Sequence, residues 1–290
     1  MFGQIRSLRR RRSVNLDPVK TVEQLECRVL LTGNVKVTLV RGDLRIDGDR
    51  GDNSIRITAD TTGLKVTGLN QTTINGQAQL AIAPQDLPAQ IDQVFINMGA
   101  GNDVIEATIP GIVIRRDLHV NMGSGHDRAD INGGQVGGNV RLLSDGGSDV
   151  LQWRNFSVAK NLAVNLGSGH NFLTLTNGEI GKDLSIRSGR HADTITATGV
   201  SVARDASIHT DGGNDVVRVA DSQVGRNTHV NLGGGRDELT VNNSQFGRRT
   251  VAVGGSKVDT LNGSSSLFAR KPVIRGFERL LGDLTTAFVA

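Results

Sequence analysis

The sequence predicts an all-β chain wound into a right-handed parallel β-helix of about eight 22-residue coils, with an antiparallel β cap at its N-terminal end. Three observations carry that expectation. A glycine-rich bend recurs, and its last position falls at Asp103, Asp127, Asp149, Asn171, Asp193, Asp215, Asp237 and Asp259, with one step of 24 residues followed by six of 22. Apolar residues alternate with polar ones on both sides of each bend, which is the period of a strand. A 22-residue unit holding two or three short strands cannot bury its own apolar face, so it must stack on its neighbours.

The columns of this alignment define the coil. Two places after the bend position stand Ile105, Ala129, Leu151, Leu173, Ile195, Val217, Leu239 and Leu261, and four places after stand Ile131, Trp153, Leu175, Val219 and Val241. Nine places after lie Val136, Val158, Ile180, Val202, Val224 and Phe246, each followed by glycine or alanine, which marks a second tight corner. Fifteen places after, Leu142, Val164, Ile186, Ile208 and Val230 belong to the strand that returns the chain to the next bend. The β-branched residues in these columns disfavour a helical solenoid, and a propeller blade needs about 40 residues or more.

Four segments follow in order. Residues 1–34 form a basic leader whose longest apolar run is Val29–Leu31, too short for a secretory signal core or a membrane span. Residues 35–90 leave the 22-residue step; "VKVTLVRGDLRIDGDRGDNSIRIT" alternates around Arg41 to Asp43 and reads as a β-meander capping the first coil. Its two Arg-Gly-Asp triplets, 41–43 and 50–52, read as hairpin turns. Residues 91–263 are the repeats, and 264–290 are expected to close the other end.

Charge and cysteine content remove several function classes. The chain carries a formal net charge of +4 and a pI of 9.6, but residues 1–34 hold seven Lys and Arg against three acids. Subtracting these from 33 and 29 leaves 26 of each sign, so the body is neutral and the basic signal belongs to the leader. With no tyrosine and few aromatics there is no stacking platform for nucleic acid. Cys27 is the only cysteine, so the body has no disulfide, thiol nucleophile or cysteine metal site. The six histidines, His119, His126, His170, His191, His209 and His229, are spread over different columns apart from His126 and His170, and no acid–base pair or zinc spacing emerges.

Two polar columns are the candidate sites. Eleven places after the bend, Lys160, Lys182, Arg204, Arg226 and Arg248 form a basic stripe suited to anionic glycans of the cell envelope, or simply a soluble edge that discourages sideways aggregation. The bend carboxylates themselves would repel by about 0.8 kcal/mol per neighbour pair in water at a spacing of about 5 Å. They therefore need either cations between the coils or hydrogen bonds from backbone N–H groups of their own turns. The adopted reading is turn capping, with calcium confined at most to the better turns at Asp103, Asp149, Asp215 and Asp237.

Two resemblances bear on function. "RRRR" followed by "LECRVLLTG" resembles the arginine-rich, LEPR-type leader of large secreted or surface proteins of planctomycete bacteria, with Cys27 in place of the proline; this implies export. "GGGRDELTV" and "DGGNDVVRV" resemble, more distantly, hemolysin-type calcium-binding repeats, which implies bound calcium as the one candidate cofactor. Asn171 and the turns "GRHAD" and "GSKVD" depart from that pattern. The expected protein is a secreted or cell-surface structural or adhesive solenoid without catalysis, partnered by envelope glycans or surface proteins. The competing class is a polysaccharide-binding or polysaccharide-degrading β-helix.

Overall fold

The computed structural model describes residues 33–60, 63–83 and 91–282, so residues 1–32 of the expected leader, with Cys27, and residues 283–290 lie outside the described residues, while Asn34 already belongs to a strand. The described chain is all β and forms a parallel solenoid of about nine turns. Two long sheets, of 12 and 15 strands, share the turns between them; three of the later turns contribute two strands to the larger sheet. At about 4.8 Å per turn the stack is on the order of 40 Å long.

One turn shows how the sequence makes the coil. Leu162–Asn165 lies in the smaller sheet, with Leu162 and Val164 inside. The bend then leads into Phe172–Ile180 of the larger sheet, where Leu173 and Leu175 point inward and Thr174 is half-buried. Each strand pairs in parallel with its counterpart 22 residues away, Leu151↔Leu173↔Ile195 in one sheet and Leu142↔Val164↔Ile186 in the other. Because these registers hold from turn to turn, inward columns such as Leu151, Leu173 and Ile195 become continuous apolar stacks; the pairing of Val104–Ile114 with Arg128–Val136 shifts register at Gly133 to Gln135.

A kink explains why the inward columns sit two, four and then nine places after the bend. Strict alternation would put the ninth position outside. The sixth position is left-handed in successive turns: Gly133, Asn155, Asn177, Gly199, Asp221, Asn243 and Ser265 all have positive φ, between 44° and 92°. Glycine, asparagine and aspartate tolerate that conformation best. The kink reverses the parity of the strand, so Phe156 and Val158 are buried although Leu151 and Trp153 are too. Trp153 uses the space this creates: its Nε1–H donates to the Gly133 carbonyl at 2.9 Å, and its ring stacks on Phe156 at 4.3 Å. In later turns serines fill the seventh position, and the backbone N–H groups of Val200, Ser222 and Ser244 donate to Ser222, Ser244 and Ser266 Oγ.

The N-terminal segment differs from a pure cap. Asp43–Asp47 and Ser54–Asp60 pair in parallel with Val94–Asn97 and Val104–Ile114, so they already form a turn of the solenoid. That turn adds to the eight expected, and was hidden because 50 residues separate Asn53 from Asp103. The antiparallel strands lie beyond it: Asn34–Val40 against Asp43–Asp47, and Gly63–Gly68 against Ser54–Asp60 and Gln79–Ile82. Among the described residues the first strand is Asn34–Val40, and the Asn34 N–H donates to Asp49. Arg41 and Gly42, both with positive φ, make the first Arg-Gly-Asp triplet a hairpin turn. The second triplet is instead the bend of the first solenoid turn, where Asp52 Oδ1 accepts the Asn102 N–H at 2.7 Å.

At the other end, Val273–Arg275 and Arg279–Gly282 pair in parallel with Arg249–Ser256 and Thr260–Ser264. The described part of 264–290 therefore continues the stack, and Leu280 and Leu281 are 62% and 52% exposed on its last strand.

Candidate functional site

The bend residues form one continuous hydrogen-bonded ladder through the wall of the solenoid. The backbone N–H of each bend residue donates to Oδ1 of the bend residue in the next turn: Asn53 to Asp103 at 2.7 Å, Asp103 to Asp127 at 2.8 Å and Asp127 to Asp149 at 2.9 Å. The series continues from Asp149 to Asn171 at 3.0 Å, then to Asp193, Asp215 and Asp237 at 2.8 Å each, and to Asp259 at 2.9 Å. The last rung is Glu278 Oε2, which accepts the Asp259 N–H at 2.8 Å after a step of only 19 residues; its longer side chain spans the difference. Capping within each turn was the expectation, and the donors prove to belong to the neighbouring turn. The reason is geometric: the bend residue leads into a parallel strand, so its side chain lies along the stacking direction.

The glycines before each rung answer to the same stacking. A methyl group built on Gly125, Gly147 or Gly169 would lie 1.7 to 1.8 Å from the carbonyl oxygen of the glycine one turn earlier, with φ between 108° and 139°. Close backbone approach requires glycine there without any ion.

The second oxygen of each rung is the unusual feature. Oδ2 of Asp103, Asp127, Asp149, Asp193, Asp215, Asp237 and Asp259 is buried and makes no hydrogen bond. The residues are 0 to 2% exposed. Burial disfavours the charged form, and it pushes the Asp103 and Asp215 carboxyls up to about 7 and those of Asp127 and Asp237 up to about 6, against the partial offset of the N–H donors. Asp149, Asp193 and Asp259 are raised by the same cause. At the amide rungs the nitrogen is partnered: Asn171 Nδ2 donates to the Gly169 carbonyl at 3.0 Å, and Asn53 Nδ2 to the carbonyls of Gly51 at 2.7 Å and Met98 at 3.1 Å, although Asn53 Oδ1, at the start of the ladder, accepts no N–H.

The four residues singled out for calcium, Asp103, Asp149, Asp215 and Asp237, are ordinary rungs of this ladder and do not gather at one point. Among the described residues no group of three or more His, Cys, Asp and Glu side chains is placed to hold a metal ion. His126 and His170 sit beside the ladder on the outside; His126 Nδ1 accepts the Ser148 N–H at 2.9 Å.

Lys160, Lys182, Arg204, Arg226 and Arg248 do come together in one column, tied by backbone hydrogen bonds of 2.6 to 3.1 Å from each residue to the one a turn before. Lys160, Lys182 and Arg248 are exposed, while Arg204 and Arg226 are half-buried. The stripe is tempered by a second side-chain ladder in the adjoining column, where Asp183 and Asp205 Oδ1 accept the N–H groups of Asp205 and Asn227. Asp183 also lies 3.6 Å from Arg204 Nε. One outer feature lies outside the predicted columns: Phe95 stacks on His119 at 5.1 Å, flanked by Arg45 and Arg141 in a shallow groove of the smaller sheet. Its signal was weak because a single pair makes no column.

No protein-family model, curated protein or solved structure matches this chain.

Proposed function

We propose that the chain is an exported, non-catalytic structural or adhesive solenoid of the cell surface, whose basic column meets anionic glycans of the envelope. The observation that carries this reading is regularity. From Asp103 to Asp259 the steps are 24 and 22 residues, so none of these turns carries a long loop of the kind that brings a local acid and base to one substrate. Export rests on the arginine-rich leader and its resemblance to planctomycete leaders. Retention on immobilised acidic glycans tests the stripe: the triple change Lys182→Gln, Arg204→Gln and Arg226→Gln is expected to weaken retention and its salt sensitivity. Unchanged retention removes the stripe from the reading.

The stack of Phe95 on His119 between Arg45 and Arg141 favours a second reading, a polysaccharide-binding or polysaccharide-degrading solenoid. Depolymerisation assays on acidic and neutral glycans separate the two: turnover lost in Phe95→Ala would establish the second reading against the first.

A further inference from the structure

We propose that the ladder aspartates are held as neutral carboxylic acids, each carrying a proton on Oδ2 and donating it to the carbonyl two residues upstream in its own turn. Asn171 and Asn53 stand in the same backbone register as the aspartates, and Asn171 presents its Oδ1 to the N–H of the preceding turn as they do. A planar side chain with one atom fixed in this way has its second atom fixed as well. In Asn171 that atom is a nitrogen, and it donates to the carbonyl at position minus two, Gly169; Asn53, whose Oδ1 accepts no N–H, also donates to its own position minus two, Gly51, and to Met98. An aspartate in the same frame turns Oδ2 toward the same carbonyl, of Gly101, Gly125, Gly147, His191, Gly213, Gly235 or Lys257.

Two acceptors facing each other in a buried site repel unless a hydrogen lies between them. The amide supplies one at Asn171. At seven other rungs the second oxygen is buried and unpartnered, and a proton on it completes the hydrogen bond with no other change. The raised carboxyls of these residues agree with this placement. It also removes the like-charge repulsion along the stack and accounts for asparagine and aspartate sharing one column.

The charged surroundings do not restore an ionised ladder. Asp103 faces Asp52 and Asp127, Asp127 faces Asp149, and Asp149 faces Asp145; all of these favour the neutral form. Asp215 lies between Asp193 and Asp237, Asp237 meets Asp259, and Asp259 meets Glu278. The opposing groups are the side chains of Asn53 beside Asp103, Ser144 beside Asp149, Ser188 and Asn171 beside Asp193 and Thr210 beside Asp215, with His126 beside Asp127 and Asp149, His170 beside Asp193 and Lys257 beside Asp237, and in every case burial is the larger effect.

Carboxyl carbon NMR on aspartate-labelled protein in the presence of a chelator reads the protons directly. The resonances lost in Asp103→Asn and Asp215→Asn are expected to titrate near 7. Midpoints near the ordinary carboxylate value of about 4 would overturn the proposal. So would resonances that remain ionised through this range and shift on adding calcium, which would assign the sites to a cation. As a second readout, Asp215→Asn is expected to melt with the wild type at pH 5 and above it at pH 8, whereas Asp215→Ala melts below it at pH 5. An Asp215→Asn protein as unstable at pH 5 as Asp215→Ala would contradict a shared hydrogen-bonding role.

Discussion

The backbone N–H of Asp149 donates to Asn171 Oδ1 at 3.0 Å, while the amide of Asn171 donates to the Gly169 carbonyl, so one neutral side chain ties two turns and closes its own bend. Replacing Asn171 by Asp keeps the first bond and makes the second depend on a proton. Asn171→Asp is expected to cost about 1 to 3 kcal/mol at pH 8, the usual penalty for an unsatisfied buried group, and much less at pH 5. Urea unfolding at the two pH values measures the difference.

The interior columns set the largest mechanical cost. Leu173 and Ile195 are 1% exposed and directly paired on neighbouring turns. Truncation of either to Ala should cost about 2 to 5 kcal/mol by loss of burial and formation of a cavity. Thr174, half-buried between Leu173 and Leu175, should accept Lys with a change near the surface norm of about 0.5 kcal/mol. Equilibrium unfolding of the three variants checks the assignment of faces.

Glycine at the bend is a requirement of stacking. Gly125→Ala would bring a methyl group to 1.7 Å from the Gly101 carbonyl oxygen, so two turns would have to separate. Gly76, also at positive φ, has nothing within 4 Å of the same position. Gly76→Ala should therefore cost only the backbone strain of about 1 kcal/mol, and Gly125→Ala substantially more. A comparison of melting temperatures distinguishes steric from conformational cost.

Trp153 is the only tryptophan, so its fluorescence reports one defined turn. Trp153→Phe removes the donor to the buried Gly133 carbonyl and is expected to cost about 1 to 3 kcal/mol. In the wild type, the fluorescence transition should coincide with loss of the β-sheet circular dichroism signal if the turns unfold together.

Much of this architecture was legible in the sequence because its period is rigid. Columns such as Leu173 and Ile186 announce inward strands, and the bend column from Asp103 to Asp259 announces a ladder. Three features were hidden for physical reasons. The first turn, with Asn53 as its rung, is separated from the second by the antiparallel strands inserted between them. Glu278 breaks the step by three residues and uses a longer side chain. The left-handed column from Gly133 to Ser265 mixes glycine, asparagine, aspartate and serine, residues united by backbone conformation and not by side-chain chemistry. The direction of the ladder bonds also escaped, since spacing alone does not say whether a carboxylate caps its own turn or its neighbour's.

The most direct test of the ladder is the melting temperature of the wild-type protein between pH 4 and 8, with chelator and with millimolar calcium. Folded carboxyls raised above the unfolded value bind protons more tightly in the folded state, so their stabilisation is fully present below about 4 and is lost as pH rises through about 6 to 7. The account predicts a melting temperature that falls across this window, by less in Asp215→Asn, and that is unmoved by calcium. A melting temperature that rises across the window, or a saturable rise with calcium abolished by Asp215→Ala, would contradict it.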